Sequence, residues 1–225
     1  MNRTIYHGSK RRIPHPVFGQ GKKYNDYGLG FYCTGDIDLA KEWAVDEESD
    51  GYANRYVICE DDLQVIHLEG EEFTALHWIE LLLRNRTFDL TSPLANEAAA
   101  YLHEYFDTDI SKADIIVGYR ADDSYFVYAQ EFLNGTISVG QLSHAMRLGG
   151  LGFQYVLKSE KAFAALKEDG YEAAKATEWF PKKQKRDSEA RRSYYRMNRS
   201  GYNRGDLYMV QILDQEVKAD DARLR

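Results

Sequence analysis

The stretch YGLGFYCTG, residues 27–35, places three glycines and two tyrosines in nine positions. Gly28 and Gly30 permit the backbone to come close to a flat ligand, because no Cβ blocks the approach. A strand that follows would present Tyr32 and Thr34 on one face. Phosphate-loop chemistry is excluded: GQGKKYNDYGLG contains no GxxxxGK[ST], and Gly28, Gly30 and Gly35 do not fall into GxGxxG between a strand and a helix. Aromatics beside close-approach glycines suit a planar ring. Upstream, YHGS at residues 6–9 sets His7 and Gly8 at the end of a short strand-like segment, RTIYH. His67, His77 and His103 form neither HExxH nor any close ligand spacing, so no metal is implied. Asp122-Asp123, after Tyr119-Arg120, is explained by helix capping.

The elements that must hold these residues follow from periodicity and punctuation. Strands are expected at 3–7, 30–34, 55–60, 63–68, 113–119 and 153–159, where β-branched and aromatic residues cluster between turn residues. Helices are expected at about 37–47, with Asp36 or Asp38 as N-cap, and at 71–86, 94–106, 122–133 and 138–148. A last helix, SEKAFAALKED, is expected to run to Gly170. Strands and helices alternate without a regular βαβ rhythm, which makes α+β the expected class. Residues 1–169 form the expected domain; 170–225 form a helical basic extension with a final strand, packed on the same domain.

At 225 residues and 44% hydrophobic, the chain can bury a substantial core. No apolar run is long enough for a membrane span, and MNRTIYHGSKRR lacks a secretory h-region, so a soluble cytoplasmic protein with no membrane partner is expected. Cys33 and Cys59 lie in apolar strand-like segments, where buried reduced thiols are the expectation. The formal net charge is −7, yet residues 182–204 carry nine Lys/Arg against two Asp/Glu. Two readings of that block stay open. It is a solvated helix face, or a phosphate-facing surface with Tyr194, Tyr195 and Tyr202 available for base stacking.

YHGS at 6–9, YGLGFYCT at 27–34, LAKEWA at 39–44, ADIIVGYRADD at 113–123 and FQYVLKSEKAF at 153–163, in this order, resemble the motif series of the ADP-ribosyltransferase superfamily. They are similar in particular to a bacterial branch catalogued as domain-of-unknown-function family 3990. The resemblance covers about residues 3–168 and implies a split mixed or antiparallel sheet with flanking helices. It also implies transfer of ADP-ribose from NAD, the co-substrate, with no metal. His7, Tyr32 and Gln154 match the positions of the diphtheria-toxin-like His-Tyr-Glu set. On this resemblance His7 binds a ribose hydroxyl, the Gly8 backbone clamps the nicotinamide carboxamide with Ser9 nearby, and Tyr32 and Trp43 sandwich the nicotinamide. Gly28, Gly30 and Thr34 complete the expected cofactor-binding set.

The departure is Gln154, which stands where the family carries Glu. Glutamine accepts through one oxygen and brings no charge. Glu131 and Glu160 are the candidate replacement carboxylates. The resemblance implies a mono-ADP-ribosyltransferase acting as an intracellular bacterial toxin, with a protein or nucleic-acid acceptor and a possible cognate antitoxin. The alternatives are an NAD-binding module without turnover and a nucleic-acid-associated protein that uses the basic segment.

Overall fold

A computed structural model of the chain describes residues 1–121, 123–198 and 205–224. Seven strands form one mixed sheet: β1 (Asn2–Ser9), β2 (Phe31–Thr34), β3 (Gly51–Cys59), β4 (Val65–His67), β5 (Ile115–Tyr119), β6 (Phe153–Leu157) and β7 (Leu166–Ala174). Their spatial order is β4-β5-β6-β2-β1-β3-β7. Among the described residues only the β4–β5 pair is parallel. The class is α+β, as expected.

The sheet is two wings joined by very little. Strands β1 and β3 pair along eight positions, from Asn2 with Cys59 to Ser9 with Tyr52. On the other wing β2 pairs with β6 from Phe31 with Leu157 to Thr34 with Gln154. Between the wings, β1 meets β2 at the single pair Tyr6 and Thr34. Beyond Tyr6 the backbone edge of β1 that faces β2 therefore has no strand partner. A cleft opens there.

Eight helices are present among the described residues: α1 (Ile37–Ala44), α2 (Ala75–Asn85), α3 (Pro93–Tyr105), α4 (Asp123–Leu133), α5 (Val139–Ala145), α6 (Glu160–Ala164), α7 (Ala176–Asn198) and α8 (Met209–Asp214). Asp36 caps α1 by accepting from the Asp38 and Leu39 amides at 2.8 and 3.4 Å, while Asp38 falls inside the first turn. Ser92 caps α3, and Pro93 occupies its first turn, where the missing N–H costs nothing. The main core gathers Leu76, Ile79 and Leu82 of α2, Leu102 of α3, Phe132 of α4 and Ile212 of α8. No helix among the described residues is long and apolar enough to cross a membrane.

Three local expectations need correction. The helix expected to reach Gly170 stops at Ala164, and the chain returns as β7 along β3. The edge of β3 demanded a partner, and tertiary pairing overrode the helical pattern of FAALKED. Asp169 and Gly170 sit opposite Arg55 as a bulge, with Gly170 at φ +95°. The extension therefore begins with a strand, and after it the described residues hold α7, α8 and a closing 3-10 turn at Ala222–Leu224, with no final strand among them. Cys33 is buried, but Cys59 is exposed; both are free thiols.

Helix α1 lies directly on β1, and Gly8 makes that possible. A Cβ at Gly8 would stand 2.9 Å from both the Ala44 amide nitrogen and the Trp43 Cβ and would strike the Ala40 carbonyl. Overpacking of this kind costs about 1–3 kcal/mol. Gly8→Ala is expected to lower unfolding stability by at least that amount in denaturant titrations; an unchanged midpoint would show that α1 does not seat on Gly8 as described.

Candidate functional site

The cleft between the wings holds a cavity of about 550 Å³, within the range of small-ligand sites. His7 and Gly8 of β1, Tyr32 of β2, Trp43 of α1 and Gln154 of β6 all line it. Ser9 and Gly30 line an adjoining groove of about 820 Å³ under the loop 10–22, which shares His7, Gly8 and Tyr32 with the cavity.

Two expected residues lie elsewhere. Thr34 is buried, and its Oγ1 accepts from the Asp36 amide at 3.1 Å. Gly28 lines a separate depression with Lys158 and Asp114. The glycines make close approaches, but to the protein itself. A Cβ at Gly28 would lie 2.7 Å from Asn85 Oδ1, and one at Gly30 would lie 2.6 Å from Val156 Cγ1.

His7 bridges the gap that the strands leave. Its Nδ1–H donates to the Tyr32 carbonyl at 2.7 Å, and its ring stacks on Phe31 at 4.3 Å. That bond fixes the tautomer, which leaves Nε2 as an acceptor. Burial lowers the His7 pKa and keeps the imidazole neutral, with the Tyr32 carbonyl only partly opposing. Asn54, itself buried, donates to the His7 carbonyl and to Ser9 Oγ, both at 3.2 Å, and so braces the end of β1.

Tyr32 is held by its hydroxyl. It donates to the Gly28 carbonyl at 2.6 Å and accepts from the Tyr27 amide at 3.1 Å. Burial drives the phenol pKa well above its usual value, so it stays protonated. The Arg120 guanidinium sits 3.7 Å from the Trp43 ring centroid and covers one face of that indole. Trp43 Nε1 and Arg186 Nη1, both buried, have no hydrogen-bond partner among the described residues.

Gln154 has a partner that the sequence did not announce. Its Nε2 donates to Asp26 Oδ2 at 3.0 Å and to the Tyr119 carbonyl at 3.1 Å. Two acceptors on one side fix the amide orientation and reserve Oε1 as the acceptor for anything else. A glutamate here would set a carboxylate against a carboxylate and a carbonyl. Glutamine is the residue that this surrounding accepts.

Asp26 is 5% exposed and lines the same cavity. Its Oδ2 also accepts from the Ala121 amide at 2.9 Å, and its Oδ1 takes Arg86 Nη1 at 2.9 Å. Burial pushes its pKa up; the Ala121 amide, Gln154, Arg86 and Arg120 pull it back.

The two carboxylates expected as replacements are not in the cavity. Glu131 Oε2 accepts from the Tyr194 hydroxyl, and Glu160 sits exposed in the first turn of α6. Asp123 opens α4, and Asp122 lies outside the described residues. The histidines serve locally. His77 closes the cap of α2, accepting from the Thr74 amide at 3.0 Å, while His67 and His103 pair with Glu69 and Glu80.

Helix α7 forms part of the cavity wall through Lys183, Arg186, Asp187 and Arg191. Tyr194 is unavailable for base stacking: it is buried and stacks on Tyr128 at 3.6 Å. Tyr195 is exposed, and Tyr202 lies outside the described residues.

The neutral His7 predicts a pH dependence. In the unfolded chain the imidazole takes its proton near pH 6.5, whereas the folded protein takes it only at lower pH. The unfolded state thus binds more protons across that window, so stability rises with pH up to about 6.5 and gains nothing from this group above it. Subtracting the Tm–pH curve of His7→Gln from that of the wild type isolates the effect from His77. A difference curve that is flat between pH 5 and pH 7 would contradict a half-buried His7 held neutral by desolvation.

The profile of a family described as a protein of unknown function, DUF3990, matches residues 3–167. No curated protein and no solved structure matches the chain. The match covers β1 through the first residues of β7 and takes in His7, Tyr32, Asp26 and Gln154. The chain belongs to the DUF3990 family.

Proposed function

We propose that this protein is an NAD-dependent mono-ADP-ribosyltransferase. The observation that carries the reading is the meeting of His7, Tyr32 and Gln154, from three different strands, in one cavity at the junction of the wings. These are the residues on which the motif resemblance rests. NAD fits the donor set: a planar ring meets Tyr32 and Trp43, and the orphaned Trp43 Nε1 and Arg186 Nη1 offer donors to an oxygen-rich ligand.

His7 Nε2 accepts a ribose hydroxyl, and the edge of β1 around Gly8, unpaired on the β2 side, takes the carboxamide. NAD supplies the chemistry of a glycosidic bond whose cleavage builds positive charge on the ribose. The residues that answer that charge are Gln154 and Asp26 together. Gln154 Oε1 accepts a ribose hydroxyl, and the Asp26 carboxylate, one hydrogen bond behind, polarises the amide toward it. The charge brought by glutamate in the resembled family thus stands at Asp26. The acceptor is a cellular protein or nucleic acid, as expected of an intracellular toxin held in check by an antitoxin.

A second reading has its own observation. Both Asp26 oxygens are already engaged, one by Arg86, which favours an NAD-binding module without turnover.

Incubation of the full chain with NAD labelled in its adenylate half and a bacterial lysate separates the two. Label covalently retained on a macromolecule, lost by about 10²–10³ in rate for Gln154→Ala and absent for His7→Ala, is the expected result. Reversible binding without retained label would leave the module reading. No binding of NAD at all would overturn both.

A further inference from the structure

Helix α7 lies beyond the region shared with the family, which ends at residue 167. It is nevertheless fastened to the cavity. Lys183, Arg186, Asp187, Ala190 and Tyr194 recur at spacings of one to four and form its inward side, with Ala190 and Tyr194 fully buried. Arg186 Nε pairs with Glu42 Oε2 of α1 at 2.7 Å, both side chains being under one-fifth exposed. Trp179 packs with Ala44 and Val45 at the other end.

The result is a strongly cationic wall in a chain of net charge −7. Six Lys/Arg line the cavity against two carboxylates. Of those two, Asp26 is taken by Arg86, and Asp187 pairs with Arg186 at 3.1 Å. Lys183 from α7 and Lys22 from the loop have no ion-pair partner among the described residues. Bringing like charges to one low-dielectric cavity is unfavourable unless something negative joins them.

We propose that α7 is the phosphate-binding wall of this cavity and that the ligand carries a diphosphate, held by Lys183, Arg186 and Lys22. A diphosphate has enough acceptor oxygens to engage ammonium groups from both sides and the unpaired Arg186 Nη1–H together. The assignment of that diphosphate to NAD rests on the nicotinamide-pocket reading; the anion site does not. A basic helix fixed by a buried ion pair and by an aromatic stack is a pre-ordered wall, so little ordering cost opposes binding.

The test uses the full chain and three probes measured by calorimetry: inorganic pyrophosphate, NAD and nicotinamide. Lys22→Gln, Lys183→Gln and their double variant remove exposed or half-exposed ammonium groups that make no ion pair with the described residues, and unchanged melting confirms that the fold is intact. Each single change is expected to weaken pyrophosphate and NAD by about tenfold, as for one charged hydrogen bond, and to leave nicotinamide unchanged. Pyrophosphate binding should also weaken with added salt. Lysine-dependent pyrophosphate binding without any NAD binding would uphold the phosphate wall while removing the nicotinamide pocket. Equal NAD affinity in the wild type and the double variant, or no pyrophosphate binding, would overturn the wall.

Discussion

A carboxylate taken out of water must be satisfied from every side, and Asp26 draws four segments of the chain together to achieve this. Arg86 comes from the end of α2, the Ala121 amide from the turn after β5, Gln154 from β6, and Asp26 itself from the loop before β2. Breaking such a buried pair by removing one partner typically costs about 3–5 kcal/mol. The node therefore fixes where the loop lies, which way the Gln154 amide faces and where Tyr27 and Tyr32 stand. Tyr27 is pinned in the same way, its hydroxyl donating at 2.6 Å to the Tyr119 carbonyl that Gln154 also uses.

The second determinant is the weakness of the sheet at its middle. A single paired position between β1 and β2 leaves strand edge unpaired, and an unpaired edge has to be covered or bridged. Here His7 spans the gap with one side-chain hydrogen bond, and α1 and α7 close over it. The cavity follows from that arrangement. It is a place where backbone groups and fixed side chains remain available because the sheet does not finish its own pairing.

Much of this was legible in the sequence, for definable reasons. β-branched runs such as IIVGY and YVIC marked strands, and the cap at Asp36 marked the start of α1. Gly8, Tyr32 and Gln154 stood out through their neighbours along the chain. Asp26 did not, since its partners lie 60, 95 and 128 residues away and its own surroundings, KKYND, read as an ordinary polar loop. For the same reason Glu131 and Glu160 stood out in the sequence although neither lines the cavity, whereas Asp26 does. The basic block was visible as charge, but the side it turns inward depended on where Ala190 and Tyr194 are buried. β7 was missed because pairing with β3 decided its conformation, not its local pattern.

The partnership of Asp26 with Gln154 fixes how the amide faces the cavity, and a double-mutant cycle on unfolding stability measures it directly. Gln154→Glu alone places two carboxylates about 3 Å apart and is expected to lose about 3 kcal/mol, the upper range for coupled neighbours. Asp26→Asn in that background removes the like-charge contact but leaves the Tyr119 carbonyl without its donor and sets an amide against the Ala121 N–H, so it is expected to recover only the part of the loss that comes from like charge. A Gln154→Glu protein as stable as the wild type, or additive losses in the double variant, would contradict the placement of the site's negative charge at Asp26.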